Sequence, residues 1–247
     1  MKSIEDILKK RSNITFFKEN KIPDKKVIEN ILQKTHDLMP HKNNFYNYEI
    51  EIYGPEHSEE KKVVALATVC STDGKRFRKS KNAKDYEELE EIYELWLESH
   101  KQKKLLDKRL KKIHFNEQVR APYLLVYTQR LRRPSETQNK QGFPEFIFKF
   151  TKKDDDSLNW YISAGMHGFG TALLAAEKGI TASFCKCFHP DKIHRNPILA
   201  PMYEKGGPKN IAFTLSLGYK DPRGVTAKYH NFMNVDEYVS WAKNDRE

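Results

Sequence analysis

Cys185 and Cys187 form a C-x-C pair near the end of "GFGTALLAAEKGITASFCKCF", the stretch from Gly168 to Phe188. On a strand, residues two apart share a face, so the spacing presents two thiols side by side. Thiols in that arrangement suit a soft metal ion. A zinc site, however, asks for about four ligands, and its cysteine pairs are usually separated by at least two residues. The histidines close by are His189 and His194, which leaves a zinc set poorly spaced, and cysteine commonly serves as a small buried hydrophobe. Gly168 and Gly170 raise a second possibility, a loop that cradles a pyrophosphate. That loop is G-x-G-x-x-G between a strand and a helix. Here Leu173 stands at the third glycine position and the glycines fall inside a helical run. On chemistry alone the stretch reads as a core helix, in which Gly165, Gly168 and Gly170 permit close approach of a neighbouring helix, followed by a core strand.

The elements that must position these residues follow from hydrophobic spacing. Ile4, Ile7 and Leu8 suit a short helix, and Val27, Ile28, Ile31, Leu32 and Leu38 suit a longer one opened by Pro23 and Asp24. "YEIEIYG" alternates, with Tyr48, Ile50 and Ile52 expected on the dry face of a strand and Glu49 and Glu51 on the wet one. A helix is expected over Glu59 to Cys70, and a long or broken helical region over Asp85 to Ile113. The strand "APYLLVYT" runs from Ala121 to Thr128, and an irregular excursion with a short strand in "FPEFIFKF" follows. Small and apolar residues surround the chain from Leu158 to Lys178 on almost every side, as in a buried helix, with Gly179 as its C-cap. "TASFCKCF" and "NIAFTLSLGY" are strands, and Asn234 caps a last helix carrying Val235, Tyr238, Val239 and Ala242. Helices and strands mix without a regular strand–helix repeat, so the expected class is α+β.

With 247 residues the chain has the size of one sizeable domain. No apolar run approaches the ~20 residues that span a bilayer, and "MKSIEDILKKRS" is unlike a signal peptide, so the expected setting is cytoplasmic with no membrane association. Three cysteines are too few and odd in number for a secreted disulfide scaffold. The net charge of +10 is concentrated in "HKQKKLLDKRLKKIH", His100 to His114, where Leu105, Leu106, Leu110 and Ile113 recur at helical spacing. The lysines there read as the wet face of an amphipathic helix. No nucleic-acid-binding signature accompanies them, which argues against nucleic acid as a partner. A basic, non-enzymatic nucleic-acid-binding protein is the alternative reading from another class.

Three stretches, in their order, resemble the nitroreductase-like family of FMN-dependent oxidoreductases. "KKRSNITFFKENKIPDKKVIENIL" is similar to that family's R-R-S-x-R-x-F segment and following helix. "PHKNNFYNYEIEIYG" is similar to P-S-x-x-N-x-Q-P-W-x-F leading into the first strand. The third is the stretch from Gly168, with the late strand ending in "SLGYKDP". The chain departs from the pattern at Ile14, in place of a further arginine, at His41, in place of serine, and at Tyr46, Asn47 and Tyr48, in place of Q-P-W. Cys187 stands where glycine is frequent.

The resemblance implies a single FMN-binding domain over 1–247, with family-atypical insertions around 56–119 and 129–156. Its fold would be a central, mostly antiparallel sheet flanked by helices. It further implies a homodimer with FMN at the subunit interface. Lys10, Arg11 and Ser12 would meet the phosphate, a group that favours charged and hydroxyl donors, joined by Lys228 and His230. Cys185, Lys186 and Cys187 would run along the reactive edge of the flavin, where a backbone amide steadies charge on the reduced ring. Pro40, His41 and Asn44 would come from the other subunit. The implied activity is electron transfer from NAD(P)H, through FMN, to a small acceptor such as a nitroaromatic or quinone. No side-chain acid or base and no metal are called for. A flavin-remodelling or substrate-specific member of the same family is the nearest variant.

Overall fold

The computed structural model describes residues 3–10, 14–39, 48–69, 76–77, 82–129, 157–187 and 211–222. The strand expected in "FPEFIFKF" and the helix expected after Asn234 lie outside them. Among the described residues the chain has mixed architecture, a four-stranded antiparallel sheet with helices on both faces.

Helix α1 (Ile4–Lys10) opens on a reciprocal cap. The Asp6 amide donates to Ser3 Oγ at 3.1 Å and the Ser3 amide donates to Asp6 Oδ2 at 3.3 Å, which satisfies amides that a helix start leaves orphaned. Helix α2 (Lys25–Leu38) is capped by Asp24, whose Oδ1 accepts from the Lys26 amide at 2.7 Å. Ile28 and Ile31 are buried on its inner face, whereas Leu38 is exposed.

Strand order is β1 (Tyr48–Tyr53), β2 (Tyr123–Gln129), β4 (Ile211–Gly218) and β3 (Thr181–Cys185). Helix α3 (Ser58–Ala67) follows β1, and helix α4 (Ala83–Gln102) precedes β2. Helix α5 (Ser157–Glu177) leads into β3 through Gly179, whose φ of 73° is a left-handed conformation that glycine adopts without a Cβ clash.

The packing of strand β2 explains why its sequence is apolar or aromatic at each position from Tyr123 to Tyr127. Leu124 and Val126 enter one core with Val64, Leu89, Ile92, Tyr93 and Trp96 of α3 and α4. Tyr123, Leu125 and Tyr127 enter another with Ile28 and Ile31 of α2 and Trp160, Ala164 and Ala172 of α5. A strand covered on both faces has no wet side to mark with polar residues. The same two-sided cover corrects the expectation for β1. Tyr48 is buried in the α2–α5 core, but Ile52 is exposed and Tyr53 is buried in the α3–α4 core. Tyr48 and Tyr53 lie on opposite sheet faces, as strand alternation requires, so neither face of β1 is dry along its whole length, and Tyr53 keeps its hydroxyl satisfied by donating to Glu51 Oε2 at 2.6 Å.

Two further expectations need correction. The basic segment is not one amphipathic helix. Helix α4 stops at Gln102, Lys103 turns left-handed with φ of 52°, and a separate 3-10 turn covers Lys108–Lys111, capped by Asp107. Leu110 and Ile113 still anchor the segment in the core, but Leu105 is exposed. The α5 glycines also do not all face a helix. A Cβ on Gly168 would lie 2.8 Å from Phe213 Cζ on β4, and one on Gly170 would lie 2.5 Å from Met39 Cγ just beyond α2. Gly165 has nothing within 4 Å of that position.

Candidate functional site

The end of β3 meets the first turns of α5, and this corner holds the described part of the site expected from sequence. Lys186 is exposed, and its Nζ sits 5.0 Å from the centroid of the Tyr161 ring, a cation–π distance. Tyr161 is stacked on Trp160 with centroids 4.2 Å apart, and burial pushes its phenol above the ordinary tyrosine range. One turn further along the same helix face, no described atom lies within 4 Å of where a Cβ of Gly165 would stand. Trp160 Nε1 and Ser163 Oγ are buried polar atoms without a hydrogen-bond partner among the described residues.

Cys185 turns inward rather than toward this corner, whereas Cys187 is half-buried. Cys185 is buried and accepts from Asn116 Nδ2 at 3.2 Å and from the Cys187 amide at 3.4 Å. Strand β3 ends at Cys185, so the C-x-C pair straddles the strand end rather than lying within it. The Cys187 amide is thereby committed to a sulfur, and of the three residues expected along the flavin edge Lys186 alone carries an exposed side chain. Lys10 is the last residue of α1, which packs against α5; the placement of its side chain, and of Arg11, Ser12, Pro40, His41, Asn44, Lys228 and His230, lies outside the described residues. Among those described, no group of three or more His, Cys, Asp or Glu side chains is arranged to hold a metal ion.

Sequence reasoning passed over two buried polar clusters. His167 of α5 has its Nδ1 3.0 Å from the Tyr127 hydroxyl and 3.4 Å from Thr171 Oγ1, and Thr171 Oγ1 donates to Thr35 Oγ1 of α2 at 3.3 Å. Burial raises the Tyr127 phenol far above its usual range, so the ring stays neutral. On the other sheet face, Gln118 Nε2 donates to Ser183 Oγ at 2.6 Å, and Ser216 Oγ donates to the Gln118 carbonyl at 2.9 Å. A histidine inside a glycine-rich apolar helix and an asparagine opening a 3-10 turn were the available signals.

The clefts elsewhere are of a different kind. A cleft of about 330 Å³ between α3, α4 and Arg120 is lined by Lys61, Lys62, Glu59, Glu94, Glu19 and Arg120. Lys62 pairs with Glu59 at 2.8 Å and Arg120 with Glu19 within the cleft, and Arg120 also pairs with Glu117 beyond its lining. Lys61 is buried, with Nζ donating to the carbonyls of Ala121 and Pro122 at 2.9 Å each. Burial lowers its ammonium to about 8.

The sequence matches no protein-family model and no curated protein. Solved structures match over the whole chain. One, from Staphylococcus epidermidis and assigned as an NAD(P)H:FMN oxidoreductase, has a TM-score of 0.63 at 11% identity, covering 98% of this chain and 97% of its own. Another, from Exiguobacterium sibiricum, was assigned as a nitroreductase and crystallised with FMN; it has a TM-score of 0.59 at 14% identity and covers 98% of both chains. A BluB-like flavoprotein from Clostridium difficile has a TM-score of 0.56 at 16% identity, covering 98% of this chain and 100% of its own. The chain thus has the nitroreductase-like fold.

Proposed function

We propose that this chain is an FMN-dependent oxidoreductase of the nitroreductase-like family, one domain over 1–247. It takes electrons from NAD(P)H and delivers them to a small acceptor of the nitroaromatic or quinone type. The observation that carries the reading is the whole-length likeness in fold to a structure that holds FMN. The corner at β3 and α5 fits such a group: a cation held over an aromatic face at Lys186 and Tyr161, and open space where a Cβ of Gly165 would stand. Lys10, Arg11, Ser12, Lys228 and His230 would take the phosphate. When bound, FMN supplies hydride acceptance and donation, so the protein need contribute only binding, orientation and charge. The Lys186 ammonium would lend positive charge to an electron-rich ring.

The protein would act as a homodimer in which Pro40, His41 and Asn44 complete the partner's site. Ile162 and Phe169 support this: they lie seven residues apart on one face of α5, 44% and 42% exposed, and Ile4 and Leu8 of the adjoining α1 are exposed as well. Among the described residues no helix is long and apolar enough to cross a membrane. Titration of the purified chain with FMN tests the reading. Saturable binding with a shifted flavin absorbance and fluorescence is the expected result, and absence of binding overturns it.

A further inference from the structure

We propose that Cys185 and Cys187 are a redox pair that forms an intramolecular disulfide by exchange with a low-molecular-weight disulfide, Cys187 being the entry point and Cys185 the resolving thiol. The two sulfurs differ in access, since Cys185 is buried and Cys187 is half-buried. They also differ in surroundings. Two N–H donors converge on Cys185 Sγ, the Asn116 side-chain amide at 3.2 Å and the Cys187 backbone amide at 3.4 Å. N–H donors aimed at a sulfur favour its anionic form, which is the nucleophile in exchange. The orientation of Asn116 is set independently: its Oδ1 caps the 3-10 turn Glu117–Arg120 by accepting from the Gln118 amide at 3.1 Å. With the oxygen committed, Nδ2 is the atom left to face the sulfur. The Cys187 amide, 3.4 Å from Cys185 Sγ, keeps the backbone of the second cysteine next to the sulfur of the first.

The exchange balances. The Cys187 thiolate attacks one sulfur of the small disulfide, forming a mixed disulfide and expelling one thiolate. The Cys185 thiolate then attacks Cys187 Sγ, closing the internal S–S bond and expelling the second. Two protein thiols are oxidised, the small disulfide is reduced, and the two thiol protons pass to the released thiolates. None of these steps depends on bound flavin.

The test is incubation of the full chain with oxidised glutathione, acid quench, alkylation and tryptic mapping. Lys186 lies between the cysteines, so trypsin cuts there and only an internal disulfide keeps the two fragments joined. Joined fragments in the wild type are expected. Cys185→Ser should instead retain one glutathionyl group on Cys187, and Asn116→Ala should slow closure at least about tenfold while leaving the first step at Cys187 unchanged. A wild-type chain that stops at the Cys187 adduct, or whose two thiols both remain alkylatable, overturns the proposal. So does a folded Asn116→Ala chain, checked by circular dichroism, that closes at the wild-type rate.

Discussion

Replacing Lys61 with methionine should remove a rise in stability that the wild type shows in mild alkali. The Lys61 ammonium is lowered from 10.5 to about 8, chiefly by burial, with Glu56 opposing. Between those values the unfolded chain holds a proton that the folded chain lacks, so folding is favoured increasingly as pH rises. The full difference of about 2.5 units corresponds to roughly 3.4 kcal/mol, of which about 1.8 kcal/mol falls between about pH 7.5 and 9.5. Tyr127 and Tyr93, both raised by burial, act in the opposite direction, but only as unfolded tyrosine ionises near 10. The window below that value therefore isolates the lysine. Methionine fills a similar volume and cannot titrate, although it leaves the Ala121 and Pro122 carbonyls without their donor, at about 1–3 kcal/mol each against the desolvation it relieves. Urea unfolding of both proteins at several pH values gives the assay. The difference in unfolding free energy between them should grow by about 1.8 kcal/mol across the window. A difference constant to within about 0.5 kcal/mol would refute the assignment of a buried, proton-poor lysine.

Gly168→Ala should destabilise by about 1–3 kcal/mol, because its Cβ would press on Phe213 and Phe184, whereas Gly165→Ala should stabilise by up to about 1 kcal/mol; thermal melts of the two separate them. Tyr127→Phe should cost about 0.5–1.5 kcal/mol by removing one of the hydrogen bonds at His167 Nδ1, Thr171 Oγ1 remaining beside it, measured by denaturant unfolding. Phe169→Glu should shift a flavin-loaded dimer toward monomer in light scattering while circular dichroism stays native; an unchanged mass would set the α5 face aside as the interface.

Strong local signals survived into the structure. Asp24 caps its helix, the helix ending at Glu177 hands over to Gly179, and the apolar runs at β2 and β4 are buried strands. What misled were patterns whose partner is distant in sequence. The leucines of the basic segment keep helical spacing, yet the left-handed turn at Lys103 lets Leu110 and Ile113 reach the core without a continuous helix. Strand β1 looks amphipathic only if one face is wet, and that depends on where α3 and α4 pack. The corner at Lys186 was legible as a strand end. The inward turn of Cys185 was not, because it depends on Asn116, 69 positions away.

The pairing of β2 with β4 also constrains how the chain is made. Each residue of β2 from Tyr123 to Thr128 waits for a partner more than 80 positions later. While the polypeptide is still emerging from the ribosome, none of the described residues upstream of Ile211 supplies that neighbour, and a strand whose first five residues are apolar or aromatic stands with one edge unpaired. For about a third of the time it takes to translate the chain, the growing protein carries its own aggregation hazard, and holdase chaperones would be expected to act on it during that interval.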